Sequence, residues 1–194
     1  EKLLEWSRLQ NNTIRPEPTE FDLSIAVRET AEIYEGALAE KSIHLDLELQ
    51  EIEVEADRYM LETTVRNLIN NAIKFTPDNG EIRLSTRVRG DEAEVSVADN
   101  GMGMDSTTVD RLFDVGRSSR REGSRGETGS GLGLLLVGEY VDKNQGYLEV
   151  ESEEGEGSVF RFTVPLSSQE LSRRRQSSRA GTVRDGEESA SATQ

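Results

Sequence analysis

The sequence predicts an α/β protein built as a two-layer sandwich, with a mixed, mostly antiparallel sheet packed on helices. Several short stretches alternate apolar and polar residues, as half-buried strands do, and neighbouring stretches are close enough to form hairpins. Between them lie longer segments whose apolar residues recur three and four positions apart, the spacing of a helix that buries one face. Strand pairs interleaved with such helices favour one sheet covered by a layer of helices.

The composition limits the classes of function. The chain has 194 residues, a formal net charge of −15 and no cysteine, so disulfides, thiolate metal sites and cysteine nucleophiles are excluded within it. Such an acidic chain disfavours nucleic acid, because phosphate binding requires clustered cations. No apolar run reaches the roughly 18 residues of a transmembrane helix, so we expect a cytoplasmic segment without membrane contact. The absence of an initiator methionine suggests a fragment, whose parent protein could be membrane-anchored.

The first elements follow from apolar spacing and from a capping residue. Phe21–Leu23 is expected to be a short edge strand, and Ser24 a helix N-cap, since its hydroxyl can accept a backbone hydrogen bond. Apolar residues at helical spacing then predict a helix to about Glu40. Ile43–Leu49 and Ile52–Ala56 alternate apolar and polar residues and are expected to be strands.

The central helix carries a polar stripe beside its apolar one. The helix spans Leu61–Pro77 after an N-cap at Asp57, and on it Asn67, Asn71 and Lys74 lie on one side. Two carboxamides and an ammonium offer oxygen and N–H groups that suit a metal ion carrying phosphates. A solvated polar flank is the alternative interpretation. The apolar stripe consists of Leu61, Val65, Leu68 and Ala72.

The elements of the second half of the chain are predicted from the same patterns. Proline and glycine end the central helix, and alternating residues then predict a hairpin. A long, polar segment over 114–130 is either functional or disordered. In chain order, the expected elements are strands at Ile82–Val88 and Ala93–Val97, a short helix at Ser106–Phe113, a helix at Leu132–Asn144 with Gly146 as its C-terminal glycine, and a hairpin of Glu149–Ser152 with Val159–Val164.

Asp99-x-Gly101-x-Gly103 directly follows a predicted strand. The strand fixes the carboxylate at its end, and the two glycines let the backbone approach a flat ligand. The carboxylate accepts hydrogen bonds, so it could recognise an exocyclic amino group such as that of adenine. An ordinary turn has the same pattern, so both interpretations stay open.

Two further glycine clusters follow. The run from Gly129 through Gly131 and Leu132 to Gly133 opens an apolar helix, and helix N-terminal N–H groups with glycines form an anion site. A flexible hinge is the alternative. The run is neither a P-loop, because GxxxxGK[ST] is missing, nor a dinucleotide site, because no parallel βαβ unit surrounds it. The third cluster, at 155–157, favours a hairpin turn over ligand contact.

Together these motifs resemble those of a known family. NLINNAIKFTP, DNGMGM, LFDVGRSS, GSGLGL and GEGSVFRF occur in that order, at spacings similar to those of the catalytic ATP-binding domain of sensor histidine kinases. The resemblance covers about residues 20–166 and implies the Bergerat-type fold shared with the gyrase, Hsp90 and MutL ATPases. The opening LLEWSRLQ resembles the end of the family's dimerisation and phosphoacceptor helix.

The resemblance implies a role for each matching residue, with ATP and Mg²⁺ as cofactors. Asn71 would give its side-chain oxygen to Mg²⁺, while Asn67 and Lys74 would be the catalytic residues beside the phosphates. Asp99 would bind the adenine amino group, and Phe113 belongs to the family's phenylalanine box. The implied ATP-binding residues are Asn67, Asn71, Lys74, Asp99, Gly101, Gly103, Gly129, Gly131, Leu132 and Gly133.

One position separates transfer from hydrolysis within this superfamily. ATP-hydrolysing relatives carry a general-base Glu four residues before the metal-binding Asn, where this chain has Asn67, and an amide is not a useful base. Glu62 lies about 180° round the helix from Asn71. The sequence therefore favours transfer of the ATP γ-phosphoryl group to a histidine outside the fragment. His44, the only histidine, favours a solvated position on a strand.

The implied organisation is the end of a phosphoacceptor helix at 1–12, a linker at 13–20, the catalytic domain at 21–166 and a disordered tail at 167–194. Expected partners are the parent kinase's phosphoacceptor histidine domain and a response regulator, with the parent a homodimer. The alternatives are a GHKL-type ATPase, a serine kinase of the same fold, or a non-catalytic module that binds nucleotide or a partner.

Overall fold

The computed structural model describes residues 15–113, 123–127 and 132–176, and the secondary structure follows the predicted order. In that part of the chain, no helix is long and apolar enough to cross a membrane. The elements are β1 (Thr19–Asp22), α1 (Leu23–Glu32), α2 (Glu35–Glu40), β2 (His44–Leu49), β3 (Glu53–Ala56), α3 (Arg58–Phe75), β4 (Glu81–Arg89), β5 (Glu92–Asp99), α4 (Ser106–Asp110), α5 (Gly133–Lys143), β6 (Leu148–Glu153), β7 (Gly157–Pro165) and a helix over 168–176, here α6.

The main sheet has five strands in the order β2-β4-β5-β7-β6. β2 and β4 are parallel and the other neighbours are antiparallel, which is the mixed, mostly antiparallel sheet that the sequence predicts. In the register, Val97 lies between Leu84 of β4 and Phe160 of β7, and all three are buried. The alternating residues on the other face are mostly charged, as expected for a sheet covered on one side only.

The helices α1, α3 and α5 cover the apolar face of the sheet, with α3 in the middle. The predicted apolar stripe of α3 is buried, and none of its four residues, Leu61, Val65, Leu68 and Ala72, is more than 3% exposed. Burying the two leucines and the valine contributes about 1.5–3 kcal/mol each, so packing rather than local propensity holds the helix in place. The polar stripe consequently lies at a fixed edge of the core.

Carboxylates cap α1, α3 and α4, in one case not at the predicted residue. Asp57 is confirmed as the cap of α3, since its Oδ1 accepts a hydrogen bond from the Met60 N–H at 3.0 Å. The prediction of Ser24 as a cap is wrong: Asp22 takes that place, and its Oδ1 accepts from the N–H groups of Ser24 and Ile25. Asp22 ends strand β1, so the helix begins at Leu23, two residues earlier than predicted.

The single helix predicted to reach Glu40 is two helices. α1 ends at Glu32, and after a turn α2 begins at Glu35. At the break the Tyr34 hydroxyl donates to the carbonyl oxygen of Arg66 at 3.2 Å, which fastens the turn to α3. Helical spacing persists across such a turn, which explains why the sequence shows no interruption.

The C-terminal glycine of α5 has a different role from the predicted one. Gln145 has the left-handed φ of 59°, and the Gly146 N–H donates to the carbonyl of Val141 at 2.9 Å, as in a Schellman motif. Glycine is required at 146 because there is no room for a side chain: a Cβ there would overlap the backbone carbonyl of Thr163.

The chain beyond 166 differs from the predicted disorder over its first ten residues. Leu166 pairs with Val54 of β3, the Ser167 N–H donates to the carbonyl of Glu53 at 2.9 Å, and α6 follows. Leu171 packs on the core and Arg174 pairs with Glu170 at 2.7 Å. Few apolar residues mark this helix, which is why its periodicity is not visible. The predicted phosphoacceptor-helix end at 1–12 lies outside the described residues, and so does the part of the predicted tail at 177–194. The predicted linker at 13–20 is described from residue 15 onward.

Candidate functional site

The predicted polar stripe of α3 lies on successive turns of the helix. Asn67 is buried, and its Nδ2 donates to the carbonyl of Thr63 at 2.8 Å. Asn71, one turn later, is half-buried, and its side chain makes no hydrogen bond to another described residue. The Nζ of Lys74 lies 4.7 Å from the centroid of the Phe75 ring. The stripe therefore combines a fixed amide, a second amide one turn away and a cation.

The loop after Asp99 meets the last turn of α3. The Met102 N–H donates to the carbonyl of Phe75 at 3.1 Å, and a Cβ on Gly101 would lie 2.5 Å from the same oxygen. Phe75 is one helical turn beyond Asn71. The structure thus brings the predicted carboxylate loop and the predicted polar stripe together, with glycine at 101 because no side chain fits there.

Asp99 is partly withdrawn from water at the end of β5. Burial raises the pKa of its carboxyl from 3.8 to about 6, although hydrogen bonds from the N–H groups of Gly101 and Ser158 act in the opposite direction. The Gly101 N–H to Asp99 Oδ1 distance, measured from the nitrogen, is 2.9 Å. A carboxylate desolvated to this extent gains from a ligand that donates a hydrogen bond to it.

The third glycine cluster supports the Asp99 loop. Gly157 has a φ of 108°, and a Cβ there would overlap the carbonyl of Asp99. Gly103 has a φ of 60°, and a Cβ there would overlap the carbonyl of Glu153. The Gly155 N–H donates to the carbonyl of Met102 at 2.9 Å. The cluster forms the predicted hairpin turn, and it also packs against the Asp99 loop, a contact that the sequence did not indicate.

Helix α5 begins beside the polar stripe. A Cβ on Gly133 would lie 2.9 Å from Asn67 Oδ1, so Asn67 faces the start of α5. Leu132 is the N-cap residue and makes no side-chain cap, in contrast with the aspartates that cap α1, α3 and α4. Gly129 and Gly131 lie outside the described residues. The described start of α5 fits an anion site, because no carboxylate side chain caps its N-terminus.

Residues 56–168 match the family of histidine kinase-, DNA gyrase B- and HSP90-like ATPases. The chain belongs to this family. It is 35% identical over 167 residues to the adaptive-response sensory kinase SasA of Crocosphaera subtropica, covering 84% of the chain and 43% of that protein. It is 31% identical over 165 residues to the sensor-like histidine kinase SenX3 of Mycobacterium bovis, covering 84% and 40%. The chain thus spans less than half the length of these relatives.

Solved structures agree with the sequence relatives of this ATPase family. The catalytic domain of histidine kinase ThkA superposes with a TM-score of 0.69 at 27% identity, covering 79% of the chain and 99% of that domain. Full-length ShkA in complex with AMPPNP superposes with a TM-score of 0.74 at 26% identity, covering 86% of the chain and 35% of ShkA. These neighbours confirm the predicted Bergerat-type fold.

The donor atoms of the site in this family member suit ATP with Mg²⁺. The described residues contain no cluster of three or more His, Cys, Asp or Glu that could hold a metal. Mg²⁺ commonly takes one or two protein oxygens and completes its shell with phosphate and water, which Asn71 can satisfy. At the end of α3, Thr76 is fully buried and its Oγ1 has no hydrogen-bond partner among the described residues. Such an atom suits a bound water or ligand group.

Proposed function

We propose that this chain is the ATP-binding catalytic domain of a two-component sensor histidine kinase. In the longer protein it would transfer the γ-phosphoryl group of ATP to a histidine of a helical partner domain. The observation that carries the proposal is the meeting of the Asp99 loop with the last turn of α3, one turn from Asn71. Family membership and the nucleotide-bound neighbour ShkA support it.

Asp99 would bind the adenine base. Its carboxylate accepts hydrogen bonds, and its reduced solvation favours a ligand N–H donor such as the exocyclic amino group. Gly101 and Gly103 let the Asp99 loop pack against the carbonyls of Phe75 and Glu153, which would hold the carboxylate in place for the base. Phe113, 40% exposed, lies beside Gly138 of α5, where a Cβ would be 3.7 Å from the Phe113 Cδ1.

The phosphates would lie along the polar stripe. Asn71 would hold Mg²⁺ through its side-chain oxygen, Lys74 would contact phosphate, and the start of α5 with Leu132 and Gly133 would supply backbone N–H groups. When bound, the metal neutralises charge on the phosphate oxygens. The protein's own contribution is positioning, because phosphoryl transfer needs little covalent chemistry from side chains. Gly129 and Gly131 belong to the same proposal through the resemblance alone.

Transfer is favoured over hydrolysis by the residue one turn before Asn71. Asn67 is fixed there by its hydrogen bond to Thr63 and by contact with α5, and an amide does not take up a proton. Glu62, the carboxylate nearest in sequence to Asn67, pairs with Arg58 at 2.7 Å. We therefore propose that the acceptor is a histidine of the parent kinase, that the parent is a homodimer, and that the phosphoryl group then passes to a response regulator.

The test is titration calorimetry of Mg²⁺-ATP, with Asn71→Ala compared with Asn70→Ala. Asn70 is the exposed neighbour on the same helix, so it controls for helix propensity and for loss of an amide. We expect wild type and Asn70→Ala to bind and Asn71→Ala to lose binding, and we expect transfer to an added phosphoacceptor domain of the parent to follow the same order. Equal binding and transfer by all three proteins would refute the assignment of Asn71.

Two other outcomes would change the class of function. Steady ATP hydrolysis far above background, without an acceptor domain, would indicate an ATP-hydrolysing module. Failure of the wild-type chain to bind any adenine nucleotide would indicate a non-catalytic interaction domain.

A further inference from the structure

Lys41, at the end of α2, is a buried cation that caps the central helix. Its side chain is 6% exposed, and its Nζ donates to the carbonyl of Ile73 at 2.9 Å, with the carbonyls of Lys74 and Thr76 at 3.3 and 3.4 Å. The last carbonyls of a helix lack partners within the helix and lie at the negative end of its dipole. A buried ammonium at this position therefore stabilises the end of α3.

The same ammonium also holds the segment 123–127, which we call the anchor segment. Lys41 Nζ lies 2.8 Å from Ser124 Oγ and 2.8 Å from Glu127 Oε1. The Ser124 N–H donates to the carbonyl of Lys74 at 2.9 Å, and its hydroxyl donates to the carbonyl of Thr76 at 2.8 Å. Three N–H groups of Lys41 thus join the anchor segment to the last turn of α3.

The anchor segment has a closed internal structure. The Gly123 N–H donates to the carbonyl of Glu127, and the Gly126 N–H donates to the carbonyl of Gly123, both at 2.9 Å. The Arg125 side chain projects from this turn and forms a bidentate pair with Asp78, with Nε to Oδ1 at 2.9 Å and Nη2 to Oδ2 at 2.8 Å. Partial burial alone would raise the pKa of the Glu127 carboxyl, but hydrogen bonds from Lys41 and from backbone N–H groups outweigh it and hold the pKa at about 2. Glu127 is therefore charged at neutral pH.

The anchor segment packs directly on a residue of the site. A Cβ on Gly123 would lie 2.6 Å from Lys74 Cγ and 2.7 Å from its carbonyl oxygen, so the Gly123 backbone touches the stem of Lys74. The stem determines which positions the ammonium of Lys74 can reach. Any displacement of the anchor segment consequently changes the freedom of Lys74.

We infer that Lys41 is a positioning residue, which fixes the anchor segment on α3 so that Lys74 is held toward the phosphate end of the site. The inference rests on the proposed nucleotide function. Lys41 itself is covered by helix carbonyls and by the anchor segment. Its effect on nucleotide affinity is therefore indirect and passes through Ser124 and Glu127.

If Lys41 only capped α3, a variant that keeps the cap and loses the anchor contacts would bind Mg²⁺-ATP with wild-type affinity. Lys41→Met removes both the cap and the anchor. The double variant Ser124→Ala/Glu127→Ala, here the anchor variant, removes the side-chain contacts of the anchor segment with Lys41 and with the Thr76 carbonyl, and it leaves the Lys41 hydrogen bond to the Ile73 carbonyl in place. Arg83→Gln is the control, because Arg83 also pairs with several carboxylates but lies on the outer face of the sheet.

The experiment measures Mg²⁺-ATP affinity by calorimetry and amide exchange of the backbone N–H of residue 124 in each protein. We expect the anchor variant to bind Mg²⁺-ATP between about 5- and 100-fold more weakly, to exchange the backbone N–H of residue 124 faster and to remain folded by circular dichroism at the assay temperature. Arg83→Gln should match wild type. In a Lys74→Ala background, the anchor variant should cause no further loss of affinity, since it acts through Lys74.

Wild-type affinity in the anchor variant would overturn the inference while leaving the proposed function intact. An equal further loss in the Lys74→Ala background would also overturn it, because the anchor would then act elsewhere. Absence of Mg²⁺-ATP binding by the wild-type chain would refute the proposed function instead. If Lys41→Met does not fold, the anchor variant still decides the question, because Lys41 keeps its contact with α3 there.

Discussion

Replacing Asp99 by Asn should stabilise the nucleotide-free protein and abolish adenine binding at the same time. Burial raises the pKa of this carboxyl from 3.8 to about 6, so holding Asp99 charged at neutral pH costs folding free energy. Asn keeps the size and can still accept the hydrogen bond from the Gly101 N–H, but it carries no charge. Its NH₂ and oxygen cannot both replace a carboxylate that accepts from the backbone and, in the proposed complex, would accept from the adenine amino group.

The size and the pH range of the effect follow from linkage. The folded pKa is raised, so the folded protein binds a proton more tightly than the unfolded chain, and the contribution of Asp99 to stability falls as the pH rises from about 4 through 6. The full rise corresponds to about 3 kcal/mol, and because the carboxylate is partly exposed to water we expect about 1–3 kcal/mol. Asp99→Asn removes this loss of stability at higher pH.

The assay is urea unfolding followed by circular dichroism at several pH values between 5 and 8, above the sequence pI of about 4.6. The difference in unfolding free energy between Asp99→Asn and wild type should grow from pH 5 to slightly above pH 6 and then stay level, while the other carboxylates cancel in the comparison. In the same buffers, wild type should bind ATP more tightly above pH 6 and Asp99→Asn should not bind. A stability difference that stays constant from pH 5 to 8 would show that the folded pKa is ordinary, and our explanation would be wrong.

Two further substitutions test the packing around the site. Gly157→Ala should lower the unfolding free energy by about 1–3 kcal/mol and weaken ATP binding, because φ is 108° and the new methyl group would overlap the Asp99 carbonyl, whereas Gly36→Ala, with nothing within 4 Å, should not. Unchanged unfolding and titration curves for Gly157→Ala would contradict this. Asp57→Ala should cost about 0.5–2 kcal/mol in urea unfolding, since the Met60 N–H loses its cap, and an unchanged midpoint would remove that role.

The elements that the sequence predicts well are those decided by local chemistry. Alternating residues identify the strands of the sheet, and the apolar stripe of α3 places Asn67, Asn71 and Lys74 on its edge. Asp57 is recognisable as a cap because a short acidic side chain directly precedes the periodic residues. The fold class follows, because such elements in that order can bury their apolar faces in few ways.

The features that the sequence does not show depend on contacts between distant residues. Lys41 and Ser124 are 83 positions apart, and nothing in either local sequence indicates that one ammonium joins the segment 123–127 to α3. Gly157 resembles any turn glycine until the Asp99 carbonyl is placed against it. α6 is missed for a similar reason, since Leu171 alone marks the side that packs on the core.

Helix α3 carries Asn71 directly and holds the Asp99 loop through the carbonyl of Phe75, four residues and about 6 Å further along its axis. The spacing between the base-binding end and the phosphate-binding end of the proposed site is therefore a constant of the helix, which cannot change without breaking backbone hydrogen bonds. Shorter and longer nucleotides would meet the same adenine position. Discrimination between di- and triphosphates would accordingly fall to the parts of the chain that are not built into this helix.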